Sequence, residues 1–367
     1  MTKMSSFQPR FDVEAVERFT LGVFLAAGLD PDKARAVSHY LVEADLMGHT
    51  THGLALAPGY LQSIADGIMT KAGKPVIVSD RGACVAWDGQ RLPGAWLTEA
   101  AMDLAIERAQ QFGTAIVTVG NSHHIGCLAA YLTRATDRGN LVTLASSSPS
   151  GASVAPFGGR KGVFSPNPIA YGIPTSGAPI LIDISASITT AHMSRRLVRE
   201  GKRFPQAWLL NPDGSPTDDP RTLDQGGTIL PAGGLDHGQK GYGMALFIEA
   251  LTQGLAGFGR ADQPMGTSAA VTIQVLDPDA FAGQSAFRLQ MDWLANACLT
   301  NPPRPGVESV RLPGGNALAR KQQALEDGLL LQEGVFDAFV EKASSLGFLT
   351  TQDRDIREDR LRKRVVE

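Results

Sequence analysis

Apolar and polar positions along the chain follow two regimes. In the first part, apolar side chains recur at helical spacing. Residues 13–27 make one such run, ending before Gly28. Asp30 and Pro31 predict a second helix, with aspartate as N-cap and proline at the first helical position, running through Ala34, Val37, Leu41 and Ala44 to Leu46. The polar stretch 48–53 separates it from a third short helix around 60–65, stopped by Gly67. From Lys74 the period changes. Short strands are expected over 75–79 and 84–87, an amphipathic helix over 96–112 closed by Gly113, and an apolar strand over 114–119. A helix over 128–137 and a strand over 141–145 follow. Further on, the pattern predicts a strand at 180–184, a small β element at 208–210 and a long apolar helix over 244–255 opened by Lys240-Gly241-Tyr242-Gly243. A strand at 271–276 and a helix at 287–299 come next. The chain then reads as helical from about Gln322 and ends in a mixed-charge tail, 353–364, expected to be solvated or packed on a partner subunit.

This alternation predicts an α/β (α+β) fold: a core of mixed sheet and helices, plus a helical N-terminal unit. The expected division is 1–74 joined by 320–367, and 75–319. Between the strands lies an irregular stretch, 146–180, whose six prolines and six glycines exclude a long helix. A loop of that length inside a compact chain is usually functional.

Composition narrows the classes. The 367 residues are 43% hydrophobic and 19% charged, which suits globular units with a substantial core. A net charge of -3 without a basic run argues against nucleic acid as a partner. No apolar run is long enough to span a membrane, and residues 1–19 lack an apolar signal core. Cys84, Cys127 and Cys298 lie far apart and form neither a disulfide framework nor a zinc spacing, which fits a cytoplasmic location.

The candidate chemistry centres on Gly120-Asn121-Ser122-His123-His124-Ile125-Gly126, a polar cluster at the end of an apolar strand. A rigid strand end fixes side chains at the mouth of a cleft, and histidine exchanges protons near neutral pH. A second pair, His49 and His52, has H-x-x-H spacing, but no neighbouring carboxylate completes a ligand set, so no metal is expected. There is no G-x-S-x-G elbow, no phosphate loop and no G-x-G-x-x-G after a strand. The Gly158–Gly162 and Gly238–Gly241 segments offer backbone N–H groups beside a cation, as either phosphate contacts or ordinary turns. Asp183 ends an apolar strand. It could accept from a ribose hydroxyl, or serve as N-cap for a helix over 186–198.

Several ordered blocks together resemble the malate/L-lactate dehydrogenase family, whose members lack a Rossmann fold. They are Asp45–Gly53 (DLMGHTTHG), Asn121–Gly126, Ala155–Gly159, Asn167–Ala170, Asp183–Ser187 and Lys240–Gly243. The resemblance spans about 40–330 and takes in ureidoglycolate, sulfolactate and piperideine-carboxylate enzymes. It implies a non-Rossmann core binding NAD or NADP, and hydride transfer to or from C2 of a 2-hydroxy or 2-oxo acid, or a cyclic imino acid. It also implies a homodimer with the site near the subunit interface. By motif position, His124 and His52 match the acid/base histidines, with His124 the first choice. Thr51, Ser148 and Asn121 fall at substrate-contacting positions. Asp183, Ile184, Ser185, Ser187, Gln239, Lys240, Pro313 and Gly314 fall on the cofactor segments.

The chain departs from the family pattern in places. Members often carry an arginine shortly after the S-H-G motif, suited to gripping a carboxylate. Here those positions are Leu56 and Gly59, and Thr51 replaces the usual serine. The usual G-T-N-P reads Ser165-Pro166-Asn167-Pro168, and Gly315 replaces the acid after Pro313-Gly314. The substrate then differs from malate or lactate, or its carboxylate is held elsewhere, with Arg160 and Arg195 as the candidates. From other classes, a metal- or serine-dependent hydrolase or a non-catalytic nucleotide binder could use the same residues.

Overall fold

Local signals in the sequence place most helix ends. In the computed structural model, which describes residues 10–349, Asp12 caps the first helix by accepting from the Ala15 N–H at 2.8 Å, and Pro31 opens the second. The first nine residues and the tail 353–364 lie outside the described residues.

In chain order the elements begin with β1 (Arg10–Phe11), α1 (Val13–Ala26), α2 (Pro31–Leu46), α3 (Ala57–Ala65), β2 (Val76–Asp80), β3 (Cys84–Asp88) and α4 (Gly94–Phe112). There follow β4 (Thr114–Ser122), α5 (Ala129–Thr136), β5 (Leu141–Ser147), β6 (Pro168–Ile173), β7 (Ile180–Ser185) and α6 (Ala191–Arg199). The rest are β8 (Leu209–Leu210), β9 (Pro216–Thr217), β10 (Thr228–Ile229), α7 (Gly234–Glu249), β11 (Ala269–Leu276), α8 (Gln284–Leu299), α9 (Gly315–Asp327), β12 (Leu329–Leu330) and α10 (Val335–Ser345).

The chain divides into two compact units. One takes the described residues up to Gly73 and those from Gly315 on; the other is Lys74–Gly314. The first is helical. Its ends are joined by the two-residue pairing of β1 with β12, Phe11 opposite Leu329. Phenylalanines weld α10 to the start of the chain. Phe336 lies 5.3 Å from Phe11 and 5.4 Å from Phe19, and Phe339 lies 5.7 Å from Phe19 and 6.3 Å from Phe24. Asp30 precedes α2, yet its carboxylate accepts from Lys33 Nζ at 3.0 Å and makes no cap bond.

The second unit is built on a seven-stranded mixed sheet in the order β2-β3-β4-β11-β5-β6-β7. β3 and β4 are parallel, and every other neighbouring pair is antiparallel. It follows that β3, β4, β5 and β7 all run the same way. Their C-terminal ends, Asp88, Ser122, Ser147 and Ser185, share one edge with the starts of β6 and β11. The central strands bury one continuous apolar face: Ala115, Val117, Val119, Val142, Leu144, Val271, Ile273 and Val275 are cross-strand neighbours on one side of the sheet and all buried.

Three expectations need correction. The irregular stretch 146–180 contains β6. Proline stands at that strand's first position, where its missing N–H breaks no ladder bond, and Gly172 lets α5 close on the sheet, since a Cβ there would come within 2.7 Å of Val142 and Thr136 side-chain carbons. The helix expected to open at Lys240 begins at Gly234 and bends at His237, so Gly238 starts its regular part. The helix after β7 is capped by Thr190, whose hydroxyl accepts from the Met193 N–H, and not by Asp183.

Candidate active site

The strand ends on this edge bring chemistry together. β4 runs three residues past the apolar run that predicts it, so Asn121 belongs to the strand rather than to a loop. Asn121 is in left-handed conformation (φ 50°), and its amide donates to Asp88 Oδ1 at 2.9 Å, tying the end of β4 to the end of β3. Gln90 and Arg91 just after β3, and Asn167 just before β6, are also left-handed without being glycine. Backbone strain of this kind is concentrated where a site needs a fixed geometry.

His123 and His124 follow β4 and differ in environment. His123 is fully buried, and burial followed by the charge of Arg91 lowers its pKa to about 4. His124 is half-buried. Burial, then the like charges of His123 and His192, lower its pKa to about 3, so the ring is neutral at pH 7. The Gly126 N–H donates to its Nδ1 at 3.3 Å, which assigns the proton of the neutral ring to Nε2. The loop is pinned from below: the buried Tyr131 hydroxyl donates to Ile125 O at 2.5 Å.

Asp183 carries the loop across to β7. Its Oδ2 accepts from the Ala129 N–H at 2.9 Å, at the start of α5, and faces Cys127 Sγ at 3.8 Å. Burial, then the charge of Asp183, pushes the Cys127 thiol well up, which keeps it an unreactive thiol. Asp183 thus stands at a helix N-terminus, where an anion is favoured, but at α5.

The segments that the resemblance assigns to a cofactor converge around β7. Pro313 O accepts from the Leu181 N–H at 3.2 Å, and a Cβ on Gly314 (φ 84°) would come within 2.9 Å of Leu181 backbone atoms. Residues 186–188 are strapped to 230–232 by the bonds Ala232 N–H to Ala186 O (2.8 Å) and Ile188 N–H to Leu230 O (3.0 Å). Gly241 seats α7 on that strap: a Cβ there would lie 2.4 Å from Ala232 N and 2.6 Å from Ala186 O. Gln239 and Lys240 project beside it, exposed and with no hydrogen-bond or ion-pair partner among the described residues. Ile184 shows an apolar side chain to solvent at 45% exposure. Of the serines, Ser185 donates to Ser187 O, while Ser187 is buried and donates to Thr189 O, so it braces the turn. A lone cation at the start of regular helix, beside an exposed apolar strand end, suits the phosphates and flat rings of a dinucleotide.

Ser148 follows β5 directly. Its N–H donates to Ser165 Oγ (2.9 Å), Ser165 donates to Asn167 Oδ1 (2.6 Å), and Asn167 donates to Glu249 Oε1 (2.9 Å). Arg260 closes the chain on Glu249 (2.7 Å) and on the carbonyls of Pro149 and Gly151. The Ser165-Pro166-Asn167-Pro168 segment therefore holds the loop that carries Ser148. Of the arginines weighed from sequence, Arg160 donates to Pro212 O near the small β8–β9–β10 sheet, whereas Arg195 on α6 borders a cavity.

The remaining two candidates belong to the other unit. Thr51 Oγ1 and His52 Nδ1 are 3.0 Å apart. Asp45, fully buried, accepts from the Leu54 N–H at 2.7 Å, and Gly53 passes so close that a Cβ would meet the Asp45 carboxyl at 2.3 Å. That contact explains the aspartate and last glycine of the DLMGHTTHG block. Burial raises the Asp45 pKa to about 7. Among the described residues, His192, Arg91 and the Glu249–Arg260 pair carry functional geometry that sequence reasoning missed. They belong to no motif, and only the basic run on α6 gave a signal.

The family model for malate/L-lactate dehydrogenases matches residues 11–339. The chain belongs to the malate/L-lactate dehydrogenase family. It is 29% identical over 346 residues to an L-lactate dehydrogenase of Cupriavidus necator, covering 92% of this chain and 98% of that protein. It is 30% identical to a Delta(1)-pyrroline-2-carboxylate/Delta(1)-piperideine-2-carboxylate reductase of Pseudomonas syringae pv. tomato, over 88% of this chain and 92% of that one. Among solved structures, sulfolactate dehydrogenase from Methanocaldococcus jannaschii superposes with a TM-score of 0.82 at 25% identity, covering 92% of this chain and 97% of the other. As a member of this dehydrogenase family the chain is an oxidoreductase with a mixed α/β fold. No helix among its described residues is long and apolar enough to cross a membrane.

Proposed function

We propose that this family member transfers hydride between the nicotinamide of NAD or NADP and C2 of a 2-hydroxy or 2-oxo acid, with His124 as the acid/base. The observation that carries the reading is the shared edge: β4, β5 and β7 run the same way, and their C-terminal ends place His124, Ser148 and Asp183–Ser185 along one edge of the sheet. Ligands of open α/β sheets sit outside such strand ends. When bound, the dinucleotide supplies or accepts the hydride.

The protein's part is position and protons. Lys240, Gln239 and the backbone at the start of regular α7 would hold phosphates, and Ile184 would lie against a ring. Nε2 of His124 addresses the oxygen on C2. In reduction that oxygen gains negative charge, and the imidazole stabilises it and delivers a proton. The low pKa means that the ring of the free enzyme is neutral, so proton uptake accompanies binding of the anionic substrate, whose charge raises the pKa. By motif position His52, whose Nδ1 lies 3.0 Å from Thr51 Oγ1, is the other acid/base candidate.

A second reading within the family is reduction of a cyclic imino acid. The reductase relative and the missing arginine in 51–60 both favour it. NADH and NADPH oxidation, followed by absorbance with 2-oxo acids and cyclic imino acids, tests both. Turnover should appear with one class, and His124→Ala should lower kcat by about 10²–10⁴ with nucleotide binding intact. Failure to bind either nucleotide would refute the proposal.

A further inference from the structure

α8 spans 16 residues, and none of them is buried. Polar tethers hold it in place. Gln284 Nε2 donates to Gly139 O at 3.0 Å, just before β5, and Asp292 Oδ1 accepts from the Ser176 N–H at 2.9 Å, just before β7. Most of the helix is nevertheless apolar. A helix of this kind draws its stability in a protein from packing its apolar face, and the described residues leave much of that face uncovered.

The uncovered face has a particular shape. Ala286, Leu289, Gln290 and Trp293 recur at spacings of three and four, so they share one side of α8. Leu289 is 67% exposed and Trp293 69%; Leu294 and, ahead of the helix, Phe281 are exposed as well. Beside the first turns of α8 lies a cavity of about 510 Å³. Leu141, Leu276, Pro278, Phe281, Ala286 and Phe287 line it, and its one polar side chain is Gln290. One helix side therefore carries a hole at Ala286 and, two turns on, a knob at Trp293. Leu141 opens β5 and Leu276 closes β11, so this surface lies at the sheet edge opposite the candidate active site.

A knob and a hole on the same side fit a self-complementary contact, in which residue i meets j and j meets i. Two α8 helices laid antiparallel about a two-fold axis between Leu289 and Gln290 put Trp293 of each over Ala286 of the partner subunit. The small alanine leaves the mouth of the cavity open there. Ala286, Leu289, Gln290 and Trp293 are all uncharged, so no like charges repel where two identical surfaces meet. The area is of the right order. Phe281, Trp293, Leu289 and Leu294 offer roughly 300–450 Å² of exposed apolar side chain. A standard interface takes about 800 Å² from each partner, about 65% of it apolar in homodimers, which is roughly 500 Å². The cavity walls supply the remainder.

We propose that α8 is an interface through which two copies of this chain associate, each Trp293 filling the apolar cavity of the other copy.

The test is the mass of the full-length protein, by sedimentation velocity and light scattering at micromolar concentration, as wild type, Trp293→Glu and Ala286→Trp. Both side chains are exposed, so the variants should melt as the wild type does. The wild-type particle should have twice the mass of either variant. Each contact loses two tryptophan anchors in Trp293→Glu, which should weaken association by about 100–1,000-fold. Ala286→Trp blocks the hole while making the surface more apolar, so a halved mass there separates a knob-in-hole contact from general stickiness. A wild-type particle no heavier than the variants overturns the interface. Dissociation by Trp293→Glu alone overturns the seating of Trp293 in the cavity.

Discussion

Gly241 offers the sharpest test of how α7 is seated on the strap proposed to hold the cofactor. A Cβ at this position would lie 2.4 Å from Ala232 N and 2.6 Å from both Ala186 O and Ala232 O. All three are backbone atoms, so no side chain can rotate away, and α7 itself must lift off the strap that carries 186–188. Gly241→Ala gains about 1 kcal/mol in helix propensity. Overpacking of this kind costs about 1–3 kcal/mol, and a rigid backbone neighbour puts the cost at the upper end. The net expectation is a loss of about 1–2 kcal/mol, which for a unit of this size is a fall in Tm of roughly 2–8 °C. Gly243 supplies the control two residues along the same helix. A Cβ there meets nothing within 4 Å, so Gly243→Ala should gain the propensity alone and raise Tm by about 2–4 °C. The two variants should therefore move in opposite directions by calorimetry. Gly241→Ala should also weaken nucleotide binding, read by NADH fluorescence, because Lys240 moves with the helix. A Gly241→Ala protein as stable as the wild type, with unchanged nucleotide affinity, would refute the idea that α7 is seated on the 186–232 strap.

Other outcomes are expected. Arg260→Met removes the partner of Glu249 and the donor to Pro149 O and Gly151 O. It should cost about 2–3 kcal/mol in denaturant unfolding and lower kcat/KM through the Ser148 loop; a wild-type unfolding midpoint would contradict this. Asp45 has its pKa raised from 3.8 to about 7, so its contribution to stability is fully present below 3.8 and is lost as pH rises through about 7. Asp45→Asn, which stays neutral, should gain on the wild type between about pH 4 and pH 7, and a constant stability difference across that window would count against it. His123 and His124 act in the opposite sense. With pKa values near 4 and 3 against an ordinary 6.5, their neutral rings contribute stability above 6.5 that is lost as pH falls toward those values. Replacing His123 by Asn should flatten the acid limb of a stability–pH profile.

How much of the architecture was legible depended on the range of the interaction. Pro31 and Gly113 are local signals, one a helix start and one a left-handed stop, and both lie where the sequence puts them. The apolar run 114–119 and the histidines after it were equally plain, and the family blocks pointed to the other candidate site residues. β6 was hidden because Pro168 and Gly172 read as breakers, and only the starting position of the one and the α5 contact of the other make them fit a strand. The head of α7 was masked by the glycines that let it approach 186 and 232. Asp183 looked like a cap for α6, but the strand carries it to the head of α5, a partner 54 residues back. The basic residues of α6 carry no motif, and only the fold brings the charge of His192 within reach of His124.

The position of β11 has a consequence for synthesis. Its partners on either side, β4 and β5, are complete by Ser147, yet β11 begins at Ala269. At about 5–20 residues per second, ribosomes need on the order of ten seconds to cross that interval. During it, the inner edges of two strands rich in valine, leucine and alanine stand unpaired. The β2–β3–β4 and β5–β6–β7 halves of the sheet can pair as the chain emerges, but they cannot join until β11 arrives between them. A nascent chain halted before Ala269 displays two open, apolar strand edges, which makes it a natural client for a ribosome-associated chaperone and a hazard if released.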